Sequence, residues 1–132
     1  CVGARAESIK TLKKDVNLME KNEDKKLIWR KYVNNQLKKE YKQLYSKINC
    51  LLFLRAENFS LLQKWRVIQE KKLKLKNKSK KIKQKIMTKK EVLNFMQTYQ
   101  RITQNMFKYA PKYASIVIKL NSNHQINSVK YN

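Results

Sequence analysis

Only one glycine and one proline occur in this chain, Gly3 and Pro111, so the stretch from Ala4 to Ala110 contains neither helix breaker. Proline interrupts a helix by removing a donor and clashing with the preceding turn, and glycine is the usual residue of tight hairpin turns. A span this long without either predicts long helices and argues against a hairpin-rich β fold. Apolar residues make up 42% of the chain and aromatic residues 10%, well above what a disordered basic tail carries, so a core can be buried. At 132 residues the chain suits a single domain, read here as one helical domain over 1–132 with an extended polar tail at 121–132.

Periodicity refines this into elements. Ile9, Leu12, Val16 and Met19 recur at helical spacing and predict a first helix over 5–21, closed by a polar turn at "KNED". A second helical region is predicted from Lys25 to Lys74, with a bend at Asn34–Asn35. Its main stripe is Tyr41, Leu44, Tyr45, Ile48, Leu51, Leu52, Phe59 and Leu62, and a second apolar face collects Phe53, Leu54, Leu61, Trp65 and Ile68. A helix apolar on two sides is either central in a bundle or exposes one side to a partner. "TKKE" at 88–91 reads as a capping box that starts a further helix bearing Val92, Phe95, Met96, Tyr99, Ile102 and Met106. Pro111 suits the first turn of a last helix, although "SIVI" at 115–118 is β-branched. The expected fold class is all-α, a compact bundle of about five helices, two of them long.

Charge points to polyanionic partners. The 32 basic and 9 acidic residues give a formal net charge of +23. Residues 1–24 are neutral, with five residues of each sign, and no acid follows Glu91. The densest block runs from Lys71 through Lys72, Lys74, Lys76, Lys78, Lys80, Lys81 and Lys83 to Lys85, with Lys89 and Lys90 beyond it. These lysines form a candidate basic surface, expected to be a helix end at Leu75, a loop over 76–80 and a short helix from Lys81. Such a field attracts nucleic acid or anionic lipid. Sequence-specific nucleic-acid reading favours arginine forks, and only Arg5, Arg30, Arg55, Arg66 and Arg101 are present, so nucleic acid is kept as an alternative partner. For a membrane surface, Phe53, Leu54, Leu61, Trp65 and Ile68 offer a candidate apolar face, which also favours a homodimer.

Catalytic signals are sparse. The single histidine, His124, lies in the polar tail with no acid beside it, and one glycine cannot build a phosphate-cradling loop. No metal-ligand spacing occurs, no cofactor is implied, and the expectation is a protein that is not an enzyme. Cys1 and Cys50 could pair, bridge two chains or stay free, with Cys50 expected on a buried apolar helix face. "NFS" and "NKS" match the glycosylation sequon at Asn58, expected within a helix, and at Asn77, expected in a loop.

Several stretches together suggest a family. "KLIWRKYV" (26–33) and "YKQLYSKINCLLFLRAENFSLLQKW" (41–65) are similar to the long second helix of the abalone sperm acrosomal proteins, lysin and its fusogenic paralogue. "MFKYAPKYASIVIKLNS" (106–122) resembles that family's final helix, and "NSVKY" (127–131) its tail. The start "CVGARAES" and the two cysteines depart from lysin and favour the paralogue. The resemblance implies secretion into the sperm acrosomal vesicle and a non-enzymatic role in fertilization. The partners it implies are egg plasma membrane lipid, for membrane fusion, or an egg-surface glycoprotein, for dissolution of the vitelline envelope.

Overall fold

The computed structural model describes residues 2–77 and 86–132. Helices α1 (Ile9–Leu12), α2 (Leu18–Glu23), α3 (Ile28–Lys38) and α4 (Glu40–Tyr45) precede strand β1 (Leu52–Arg55). Two long helices follow, α5 (Phe59–Asn77) and α6 (Lys89–Tyr109), then a 3-10 turn at Ala110–Lys112 and strands β2 (Ile116–Leu120) and β3 (Ile126–Tyr131). The fold is mixed α/β, which corrects the all-α expectation. Three segments read as helix or tail form one sheet in the order β1-β2-β3.

The register shows how the sheet is built. β1 runs parallel to β2, with Leu52 opposite Ile116 and Arg55 opposite Lys119. Parallel neighbours need a long crossover, and α5 and α6 lie between them in sequence. β2 and β3 form an antiparallel hairpin with an irregularity at Lys119/Leu120. That hairpin turns without glycine. Asn121 Oδ1 accepts from the backbone N–H groups of Asn123 and Gln125, and His124 takes the left-handed conformation at φ 63°. Asparagine side chains that mimic a backbone turn, together with one left-handed residue, do what glycine was expected to do.

Polar caps account for the other departures. Ser8 Oγ accepts from the Thr11 amide and Asn17 Oδ1 from the Glu20 amide, so two N-caps lie inside the predicted 5–21 helix and split it into α1 and α2. α3 runs unbroken past Asn34–Asn35 and stops at Lys39. The predicted 25–74 helix ends at Tyr45, where the Ser46 hydroxyl donates to the Gln43 carbonyl, and residues 52–55 extend. Asn58 sits at the start of α5, its Oδ1 accepting from the Leu61 amide, not within a helix. Cys50 is exposed just before β1 rather than buried on a helix. Ile116, Val117 and Ile118 of "SIVI" are strand, as their β-branching favours, so no last helix follows Pro111. The capping box at Thr88 and Glu91 is present with both reciprocal bonds.

Apolar packing is centred where α6 meets the N-terminal segment and the sheet. Ala4, Met106 and Ala110 form a buried cluster, with Leu37, Phe53, Ile102 and Tyr113 against it. Elsewhere many large apolar side chains are exposed, among them Leu18, Trp29, Tyr41, Leu44, Leu52 and Leu54. Among the described residues β1 has a sheet neighbour on one side only.

Candidate functional site

A cavity of about 460 Å³ lies between α1–α3 and α6. Two buried arginines organise it. Arg30, whose side chain is 5% exposed, uses all five of its N–H donors. Nε donates to Asp24 Oδ2 at 2.9 Å, one terminal nitrogen to Asp15 Oδ1 at 2.8 Å and the Leu12 carbonyl at 2.9 Å, and the other to the Glu20 and Asp24 carbonyls. Arg101 reaches Glu20 from α6, with Nε 2.7 Å from Oε1 and a terminal nitrogen 2.7 Å from Oε2. Its other terminal nitrogen lies 3.0 Å from Glu7 Oε2. Glu20 therefore links the two guanidinium groups. The planar five-donor fork of arginine suits such multidentate positions in a way lysine does not.

This explains the neutral N-terminal segment. Four of its five acids, Glu7, Asp15, Glu20 and Asp24, are the counterions of Arg30 and Arg101. Burial pushes the Asp24 carboxyl up, but hydrogen bonds from the Arg30 side chain and from the Arg30 and Trp29 amides outweigh it and leave the pKa below its ordinary value. Those amide bonds, at 3.1 and 3.0 Å, also cap α3. They hold the turn in which Leu27 adopts φ 62°, a left-handed conformation that a branched side chain resists. At Arg101, burial lowers the pKa while the bonds to Glu20 and Glu7 raise it, and the net shift is upward.

The other end of the cavity is less satisfied. Asn105 is 4% exposed, and its Oδ1 accepts the Arg5 amide at 3.2 Å. Its Nδ2 has no hydrogen-bond partner among the described residues. A buried donor left in this state costs about 1–3 kcal/mol. The Arg5 guanidinium stacks 4.0 Å from the centroid of the Tyr113 ring. Tyr113 donates its hydroxyl hydrogen bond to the Gly3 carbonyl, and burial raises its pKa although Arg5 pulls it down.

The sequence-predicted sites map elsewhere. Lys71, Lys72, Lys74 and Lys76 are exposed on α5, and Lys89 and Lys90 are exposed at the start of α6. Lys78, Lys80, Lys81, Lys83 and Lys85 lie outside the described residues, as does the short helix expected from Lys81. The predicted apolar face is not one surface. Phe53 and Leu54 alternate on β1, Phe53 packing toward the core and Leu54 exposed, while Leu61 is buried under α5. Trp65 stacks on His124 with centroids 4.0 Å apart, and its Nε1–H donates to the Ser122 carbonyl. Only Trp65 and Ile68 share a surface, a shallow cleft of about 470 Å³ that Arg66, Lys72 and His124 also line. Arg5, Arg30, Arg101 and Asn105 were not singled out from sequence. The signal was arginine's rarity, since only five of the 32 basic residues are arginine.

Among the described residues no helix is long and apolar enough to cross a membrane, and no cluster of three or more His, Cys, Asp or Glu is placed to hold a metal ion. No protein-family profile matches the sequence, and no curated protein matches it. The search of solved structures does find a likeness. A chain of D-glycerate 3-kinase from Cryptococcus neoformans var. grubii serotype A is similar to this chain with a TM-score of 0.70 at 19% sequence identity. The match covers 99% of this chain and 47% of that one, so this chain spans under half the kinase's length.

At that identity the likeness establishes the fold. It overturns the acrosomal resemblance. The lysin-like bundle and the fertilization, sperm, membrane-fusion and coat-dissolving readings attached to it are corrected by this fold, and so are the nucleic-acid alternative drawn from charge and the non-enzymatic reading drawn from sparse catalytic motifs. The fold observed is mixed α/β and is shared with an enzyme.

Proposed function

We propose that this chain forms part of a small-molecule kinase that transfers a phosphoryl group from a nucleoside triphosphate to the hydroxyl of a hydroxy acid such as D-glycerate. The observation that carries the reading is the fold match over 99% of the chain. In the reaction the acceptor oxygen bonds to the γ-phosphorus, the bond to the β–γ bridging oxygen breaks, and the hydroxyl proton is released. Such catalysis consists of positioning and of neutralising phosphate charge, and cationic side chains supply the second. Lys71, Lys72 and Lys74 on α5 and Lys89 and Lys90 on α6 are exposed cations suited to it.

A glycine-rich phosphate cradle is not assigned to these residues, which contain one glycine. In this reading a further segment of about the same size supplies the cradle and continues the sheet at the open edge of β1. The exposed Leu52 and Leu54 project from one face of that strand and leave an apolar surface for such a segment to cover. The test is nucleotide-dependent turnover of D-glycerate, followed as ADP formation, by this chain and by the longest product of its gene. Glycerate-dependent ADP formation that weakens when Lys71 and Lys72 are both changed to Glu supports the reading. A longest product that forms no ADP with D-glycerate or any other hydroxy acid refutes it.

A further inference from the structure

The two faces of the sheet are unlike, and the more apolar one is the one left open. Residues opposite one another on paired strands share a face. Leu52, Ile116 and Tyr131 therefore form one row, and Leu54, Ile118 and Val129 the next. None of these carries a charge. The opposite face holds Phe53 and Val117 together with the cations Arg55, Lys119 and Lys130. Yet that second face is the packed one. Val117 is buried, Phe53 packs on the cluster of Met106 and Ala110, and its ring lies 6.5 Å from that of Phe107. The uncharged face stays open among the described residues, with Leu54 57%, Val129 43% and Tyr131 75% exposed. Sheets of parallel strands are covered on both faces, and β1 pairs with β2 in parallel.

We propose that this open face seats one amphipathic helix, about three turns long and acidic on its outer side, supplied by a further segment of the same gene product. The proposal rests on the existence of that segment, which the proposed function also requires. More than half of the similar kinase chain lies outside the match, which is ample length for such a helix. Size selects one helix. Three strands about 4.8 Å apart and five residues at about 3.3 Å each make a face about 14 by 17 Å. A helix about 10 Å across fills that width, and about eleven residues span its length. A second copy of the chain fits poorly, since a stable dimer buries about 800 Å² on each partner and this face offers about 240 Å². Two chains of net charge +23 also repel each other, whereas the same field favours an acidic helix.

The test uses the longest product of the gene, with the photocrosslinking residue p-benzoylphenylalanine in place of Leu54, Val129 or, on the other face, Lys119. Circular dichroism equal to the parent's confirms that each substituted protein is folded. Irradiation and mass spectrometry should link positions 54 and 129 to one segment of the same molecule, and position 119 elsewhere. That segment should space its apolar residues at i, i+3 and i+4 and carry more acids than bases. Hydroxyl-radical labelling of Tyr131 should be severalfold lower in the longest product than in this chain. Links between two copies, links to a segment without that spacing or with net positive charge, no link from positions 54 and 129, or equal labelling of Tyr131 each overturn the proposal. ADP formation by the unsubstituted longest product reports on the kinase reading separately. Turnover of D-glycerate without the helix link sinks only the covering helix, and the helix link without turnover of any hydroxy acid upholds it and sinks only the kinase reading.

Discussion

Replacing Arg30 by Met tests whether the arginine–carboxylate network holds the N-terminal half together. The substitution keeps most of the side-chain volume and removes five hydrogen bonds at once. Asp24 and Glu20, both nearly buried, lose a counterion, and Asp24 keeps only its bonds from the Trp29 and Arg30 amides. Breaking a buried ion pair from one side costs about 3–5 kcal/mol, against about 5–15 kcal/mol of total stability for a domain. With a urea slope of about 1–3 kcal/mol per M, the unfolding midpoint should fall by about 1–5 M at pH 7. The pH dependence identifies the cause. Without the Arg30 side chain, burial of the Asp24 carboxyl is no longer offset as fully, so it takes up a proton more readily as the pH falls and the penalty shrinks. In the parent, the depressed Asp24 pKa acts in the opposite sense. Its contribution is complete above the ordinary aspartate range and is lost as the pH falls through the folded value. The gap between variant and parent should therefore narrow from pH 7 to pH 4.5 in urea titrations followed by circular dichroism. An equal gap at both pH values, or a midpoint at pH 7 within about 0.3 M of the parent, would show that charge compensation at Arg30 contributes little.

Other outcomes are narrower. Thr88→Ala removes one half of the α6 capping box and should cost about 1 kcal/mol, read as a lowered thermal midpoint. Leu12→Ala, at a side chain buried to 2% exposure, should cost about 2–5 kcal/mol in urea unfolding. Asn121→Ala deletes the acceptor for two turn amides and should raise hydrogen exchange across β2 and β3 while that of α6 is unchanged. Asp24→Asn should flatten the loss of stability below the ordinary aspartate range, measured as the acid limb of a pH–stability profile.

Local signals were legible in the sequence and long-range ones were not. "TKKE" specifies its capping box within four residues, and the structure contains it. The neutrality of residues 1–24 was equally visible, but its meaning depends on Arg101, which meets Glu20 across 81 positions of sequence. Strand β1 was hidden because Leu51, Leu52, Phe53 and Leu54 satisfy a helical stripe as readily as a buried strand, and their partner strand lies far along the chain. The hairpin was missed for another reason. The lack of glycine argues against a tight turn, whereas Asn121 and His124 supply the turn geometry. Nothing local marked Asn105, whose interest comes from what its Nδ2 lacks in the folded state.

The placement of the acids changes how this protein behaves as an electrolyte. Of the nine, Glu7, Asp15, Glu20, Asp24 and Glu70 are joined to arginines, and Glu91 caps α6. That leaves Glu23, Glu40 and Glu57, all exposed, to moderate a surface of lysines. The molecule is in effect a polycation that carries its counterions inside. Dissolved salt screens the repulsion among the outer lysines, over about 8 Å at physiological ionic strength, and hardly reaches the inner pairs. Moderate ionic strength therefore favours the folded chain, and dilution into salt-free water, which exaggerates surface repulsion, is the harsher condition for it.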